Sequence, residues 1–240
     1  MIILTHEISI KTELYIDRIQ KQLNKPIIYK KIDNKDSGFG RCGQNSYSFL
    51  VWLDDSLPDE AFEINALHEL VHLTQMLKNI PDARPININA DGESKMAQSI
   101  NALIFDIEVE NTLKEYGFDT IYFTYIRLEQ MKEIRSKGFV NYANNEFVQK
   151  YAAIRLALYS YVASEEISES MYNIFHKRYP RICSTAKRLT NLIQNKPLKE
   201  TSEMFETMKQ IIELLHIGDH IKIVYEGKEH LYDNNCWSNC

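Results

Sequence analysis

His68-Glu69-Leu70-Val71-His72 is the stretch on which the reading of this chain turns. It lies in a run from Pro58 to Lys78 whose apolar residues recur at helical spacing. Ile64, Leu67 and Val71 make one line, and Leu70, Leu73 and Leu77 another. On a helix, residues four apart stand one above the other. His68 and His72 can therefore hold one metal ion through their imidazole nitrogens. Glu69 lies about 100° round the helix from His68, which puts its carboxylate beside the same point. Ser56-Leu57-Pro58-Asp59 supplies the helix start, with Ser56 as N-cap and acids in the first turn.

Outward from that helix, the composition sets bounds. At 240 residues the chain is long enough to bury a core without staples. A net charge of −5 gives no electrostatic footprint for nucleic acid. Four cysteines, at 42, 183, 236 and 240, are too few for a disulfide framework. The first residues lack a basic start and carry His6 and Glu7, unlike a signal peptide. Phe49 to Leu53, the longest apolar run, is too short to span a bilayer. The expectation is a cytoplasmic protein with reduced thiols and no membrane partner.

The chain before the motif reads as a helix over 6 to 23, with Ile8, Tyr15, Ile16, Ile19 and Leu23 as its apolar set. A short strand follows from Ile27 to Ile32, then a loop over 33 to 46. That loop contains Gly38-Phe-Gly40-Arg-Cys-Gly43, the formal pattern of a dinucleotide-binding turn. Such a turn needs a helix after it, and Tyr47 to Leu53 has strand character instead. The cofactor reading is set aside, leaving a flexible connection between strands.

Beyond the motif, 80 to 92 reads as a long loop and 94 to 116 as a helix closed by Gly117. Projected at helical spacing, Asp106 and Glu110 fall between two apolar patches of that helix. Glu108, Thr112 and Glu115 fall on a side read as solvated. Carboxylates within an apolar face are costly unless they are paired or bind metal. Asp106 and Glu110 are thus the candidates for a further ligand, and a buried acid pair with basic partners is the plain alternative. Gln75, just short of a turn past His72, is read as a polar residue where the helix surfaces, with a hydrogen bond to a ligand as the other possibility.

His68 to His72 with an acidic helix downstream resembles the zincin metallopeptidases, over about 45 residues, 65 to 110. The resemblance implies Zn2+ held by the two histidines and one acid, with an open position for water. In the branch of that family with a glutamate ligand, the ligand precedes an aspartate by four residues on one helix. Here the order is reversed, Asp106 then Glu110. Asp106 is favoured as third ligand and Glu110 as the group orienting a histidine; the opposite assignment stays open. The resemblance also implies an edge strand beside the cleft that pairs with extended substrate. Tyr47 to Leu53 is either that strand or an ordinary core strand.

The second half reads as mainly helical. Phe118 to Tyr125 is an aromatic cluster that can open a helix reaching Ser136. It reads first as core, with Tyr122 or Tyr125 as oxyanion donors in the alternative. Further helices are expected at Phe147 to Ala163, Met171 to His176, Ile182 to Ile193 and Met204 to Leu215. Asn195 to Lys199 reads as a loop or linker. Ile221 to Tyr225 and His230 to Tyr232, flanking Glu226-Gly227-Lys228, form a hairpin signal. His216 and His220 are separated by Gly218 and are not read as one helical pair. Cys236 and Cys240 end a polar tail read as a ragged terminus rather than a metal site with His230.

The expected fold is α+β and mostly helical. A zincin-like lobe at 1 to 119, with a short β-sheet and the motif helix, precedes a helical lobe at 120 to 240 with a terminal β-hairpin. The expected activity is hydrolysis of peptide bonds in a peptide or protein substrate, through a metal-bound water with Glu69 as general base. Two other classes stay open: a zinc-binding regulatory or interaction module without turnover, and a purely structural helical protein.

Overall fold

A computed structural model describes residues 1–32, 40–121, 128, 132, 145–194, 196, 198–233 and 236–239. The fold is α+β, and seven helices stand among the described residues. The chain divides into two compact units. One comprises Met1–Lys78 with Val109–Tyr122, and the other Asn79–Glu108 with Phe123–Cys240.

The first unit begins with two short strands, β1 (Ile2–Ile3) and β2 (His6–Glu7), paired antiparallel. Helix α1 (Ile10–Gln22) starts at the N-cap Ser9, whose side chain accepts from the Thr12 amide. The helix expected over 6 to 23 is thus shorter at its start, because residues 6 and 7 are in a strand. All five residues of its apolar set are buried. Strands β3 (Ile27–Lys31), β4 (Gly40–Gln44) and β5 (Phe49–Leu53) form a sheet in the order β3-β5-β4. β3 runs parallel to β5, and β4 antiparallel.

This sheet corrects one expectation and decides between two others. The loop assigned to 33 to 46 contains a strand, since Gly40–Gln44 pairs residue for residue with Phe49–Leu53. Periodicity could not reveal it, because two of its five residues are glycines without side chains to alternate. And β5 is the central strand, flanked on both sides, so it cannot be the edge that accepts a substrate. Its inward residues Phe49, Val51 and Leu53 are fully buried.

Helix α2 (Asp59–Met76) carries the motif. Its N-cap position is Pro58, with no side-chain cap. Ser56, expected there, donates instead through its backbone N and its hydroxyl to Asp54 Oδ1, at 3.0 and 2.6 Å. That local turn uses up the hydroxyl before the helix begins. Two ties bind the start of the chain to α2. Glu63 accepts from the Ser9 amide at 3.1 Å and from the hydroxyls of Ser9 and Thr12. His6 is buried and stacked on Phe62, with ring centroids 3.9 Å apart; its Nδ1 lies 2.7 Å from Asp59 Oδ1 and its Nε2 3.1 Å from the Asp55 carbonyl.

Helix α3 (Asp91–Glu115) ends as expected at Gly117, in the left-handed region at φ 75°. The Gly117 amide donates to Lys114 O and the Phe118 amide to Leu113 O, which satisfies two of the last carbonyls. Its final turns, from Val109, belong to the first unit and its earlier part to the second.

The second unit holds α4 (Glu146–Val162), α5 (Glu165–His176), α6 (Pro180–Ile193) and α7 (Thr201–Leu215). All four helices start before the expected residue, by one to six positions, because polar residues precede their apolar stripes. α5 is capped by Ser164 and α6 opens on Pro180. Fully buried Ile100, Ile104, Ile154, Phe175, Met208 and Ile211 belong to one core. A four-stranded antiparallel sheet completes the unit, in the order β6 (Asp82–Pro85), β7 (Ile221–Tyr225), β8 (Lys228–Asp233), β9 (Cys236–Asn239). The expected hairpin is there: Glu226 and Gly227 both have positive φ, 52° and 75°, the two-residue turn that matches strand twist. Two strands were not expected. β6 lies in the stretch read as loop, and β9 in the tail read as ragged. His216 caps α7 in the left-handed region at φ 51°, so His216 and His220 do not share a helix.

The linker at Asn195 to Lys199 and Cys240 fall partly or wholly outside the described residues, as do Tyr122, Tyr125 and the helix expected to reach Ser136. No helix among the described residues is long and apolar enough to cross a membrane.

The His6 tie is pH-dependent. Burial draws the His6 pKa down, but hydrogen bonds to Asp59 and the Asp55 backbone, with the charges of both carboxylates, outweigh it and raise the pKa above 6.5. A proton held more tightly in the folded state stabilises folding below the ordinary pKa, and the gain is lost as pH rises through the folded value. His6→Ala is therefore expected to cost more stability at about pH 5.5 than at about pH 8.5, measured as the shift in urea midpoint at each.

Candidate metal centre

Helix α2 is apolar on several sides. Ala61, Phe62, Ala66, Leu67, Leu70 and Leu73 are fully buried. Its polar residues gather on what remains. His68 and His72 are half-buried, one turn apart, and their Nε2 atoms stand 3.1 Å from each other. The rings are nearly perpendicular, at 77°. Asn65 and Glu69 occupy the adjoining strip and are 4% and 7% exposed.

Gln75 corrects an expectation. It does not surface: it is 2% exposed, and its Oε1 lies 2.7 Å from His72 Nδ1. An amide oxygen accepts, so this contact favours the tautomer with the proton on Nδ1 and the His72 lone pair on Nε2, toward His68. The sequence offered a signal for this, since i and i+3 share a helix face.

On α3, Asp106 is half-buried and Glu110 is 1% exposed. Both sit among buried apolar neighbours, as the projection required: Leu103, Ile107, Val109 and Leu113 are fully buried. Glu108, read as solvated, is 6% exposed and so is buried. The projection assumed one wet side, whereas this length of α3 is covered on every side.

The geometry suits a tetrahedral ion. Two donors at about 2.0–2.1 Å from zinc stand about 3.3 Å apart. The 3.1 Å between the two Nε2 atoms is close to that spacing. Two imidazoles are a donor pair that zinc accepts, alongside a further ligand and water or substrate.

Strand β4 lies against the Glu69 strip of α2. Cys42, half-buried on that strand, hydrogen-bonds to Glu69. Burial first, and then the Glu69 charge and hydrogen bond, push the Cys42 thiol far above its ordinary range. Neither residue's part in this pairing was read from the sequence, because strand β4 itself was not.

No family model, curated protein or solved structure matches the chain.

The Gln75 contact has a direct readout. Gln75→Leu removes the acceptor for His72 Nδ1–H and is expected to turn a single His72 tautomer into a mixture, seen by 15N NMR of the imidazole. The same change is expected to weaken zinc binding about 10- to 100-fold in chelator competition.

Proposed function

We propose that this chain is a zinc-dependent metallopeptidase. The observation that carries the reading is the convergence of His68 Nε2 and His72 Nε2 to 3.1 Å on one turn of α2, with Glu69 buried beside them. His68, His72 and Asp106 would hold the ion, with Glu110 one turn beyond Asp106 as the further acid on that helix. When bound, zinc supplies Lewis acidity, which makes water easier to deprotonate and a carbonyl easier to attack.

The remaining work falls to side chains. Gln75 Oε1 holds His72 in the tautomer that leaves Nε2 free to ligate. Glu69 accepts a proton from the attacking water on a carboxylate oxygen and returns it to the departing amine. A peptide is favoured as substrate by β4. Among the described residues β4 is paired only with β5, and an extended peptide can pair with such a free strand edge through its backbone. That role thus goes to β4 rather than to β5, one of two readings open for Tyr47 to Leu53 in the sequence.

The test is metal content and hydrolysis of a broad peptide mixture, read by mass spectrometry. His68→Ala is expected to lose the zinc. Glu69→Gln is expected to keep it and to lose hydrolysis by about 10²- to 10⁴-fold. Full zinc loading in His68→Ala removes the proposal. One zinc per chain with no cleavage of any peptide favours the binding module without turnover.

A further inference from the structure

Glu69 is enclosed by its own helix on one side and by β4 on the other. A Cβ placed on Gly40 would stand 2.7 Å from Glu69 Oε1, 2.8 Å from Glu69 Cγ and 2.9 Å from Asn65 Oδ1. A side chain there would force Glu69 and Asn65 to move, so glycine is what lets Glu69 keep this position against the strand. Two residues further, on the same face of the strand, Cys42 hydrogen-bonds to Glu69. The strand cannot slide to relieve either contact. Gly40 is opposite Leu53 and Cys42 opposite Val51, and both partners are fully buried. A shift of one residue would turn every side chain of β4 to the other face.

We propose that β4 is the positioning element for the base of the peptidase site: Gly40 gives Glu69 its room, and the Cys42 thiol donates to its carboxylate. Gly40 and Cys42 are thus positioning residues, acting through Glu69. This rests on the metallopeptidase reading. A glutamate has three side-chain torsions, and a base must keep within hydrogen-bonding reach of the water it deprotonates. Contact from strand and helix together removes that freedom before substrate arrives. A thiol is a weak donor, so it orients the carboxylate while leaving its lone pairs for the proton of water.

The contact can be read without activity. In metal-free protein, alkylation of Cys42 by iodoacetamide, followed by mass spectrometry of its peptide, is expected to be severalfold faster in Glu69→Gln than in the unaltered chain. In the zinc-loaded protein, Gly40→Ala is expected to lower kcat about tenfold or more, with zinc content and KM held. Cys42→Ala is expected to lose part of kcat, and Cys42→Ser, which keeps a donor, to restore it. Equal alkylation rates overturn the proposal, as do unchanged kcat values in both Gly40→Ala and Cys42→Ala. Should the unaltered chain hydrolyse nothing, the peptidase reading fails on its own, and the alkylation comparison still decides the contact.

Discussion

A helix buried on several sides must satisfy its polar side chains from within, because water cannot reach them. That constraint governs α2. Its aliphatic residues fill the space beside β5 and α1, and its remaining strip carries Asn65, His68, Glu69, His72 and Gln75. Each of the buried members costs free energy unless it is paired. Gln75 is spent on His72, and Cys42 on Glu69. The arrangement that suits a metal ion is thus the arrangement that burial of the helix already demands.

The same economy holds at the start of α2. Glu63 serves the open amides and hydroxyls at the beginning of α1, a capping role supplied from another element rather than from the adjacent sequence. His6 sits between Asp55 and Asp59, where it stacks on Phe62. Both contacts join residues about fifty apart in the chain. They fix how α1 and the β1–β2 pair lie against α2, and so fix the surroundings of the motif helix within the first unit.

What was legible in the sequence was local. The spacing of His68 and His72, the glycine that ends α3, and the Glu226-Gly227 turn are each decided within a few residues. What was not legible depends on distant partners. β4 is a strand because β5 offers it a ladder, although Gly40 and Gly43 have weak strand preference by themselves. β6 is a strand because β7, some 140 residues later in the chain, pairs with it. Glu108 was misread because a helical projection assumes one face in water, and Gln75 because its burial comes from packing that no periodicity encodes. The spacing of Asp106 and Glu110 did place both among buried apolar neighbours. Spacing alone does not choose between them, since both stand on that face one turn apart.

The register of β6 on β7 has a temporal side. Asp82 lies opposite Val224 and Pro85 opposite Ile221. During synthesis, β6 leaves the ribosome long before the strand it needs. Until Ile221–Tyr225 emerges, β6 lacks its ladder, and of its backbone groups those of Ala83 have a nearby partner in the Asn101 side chain. Closing a loop that long carries an entropic cost that only the finished sheet repays. The second unit consequently closes its sheet across most of its own length, and a late strand locks an early segment in place.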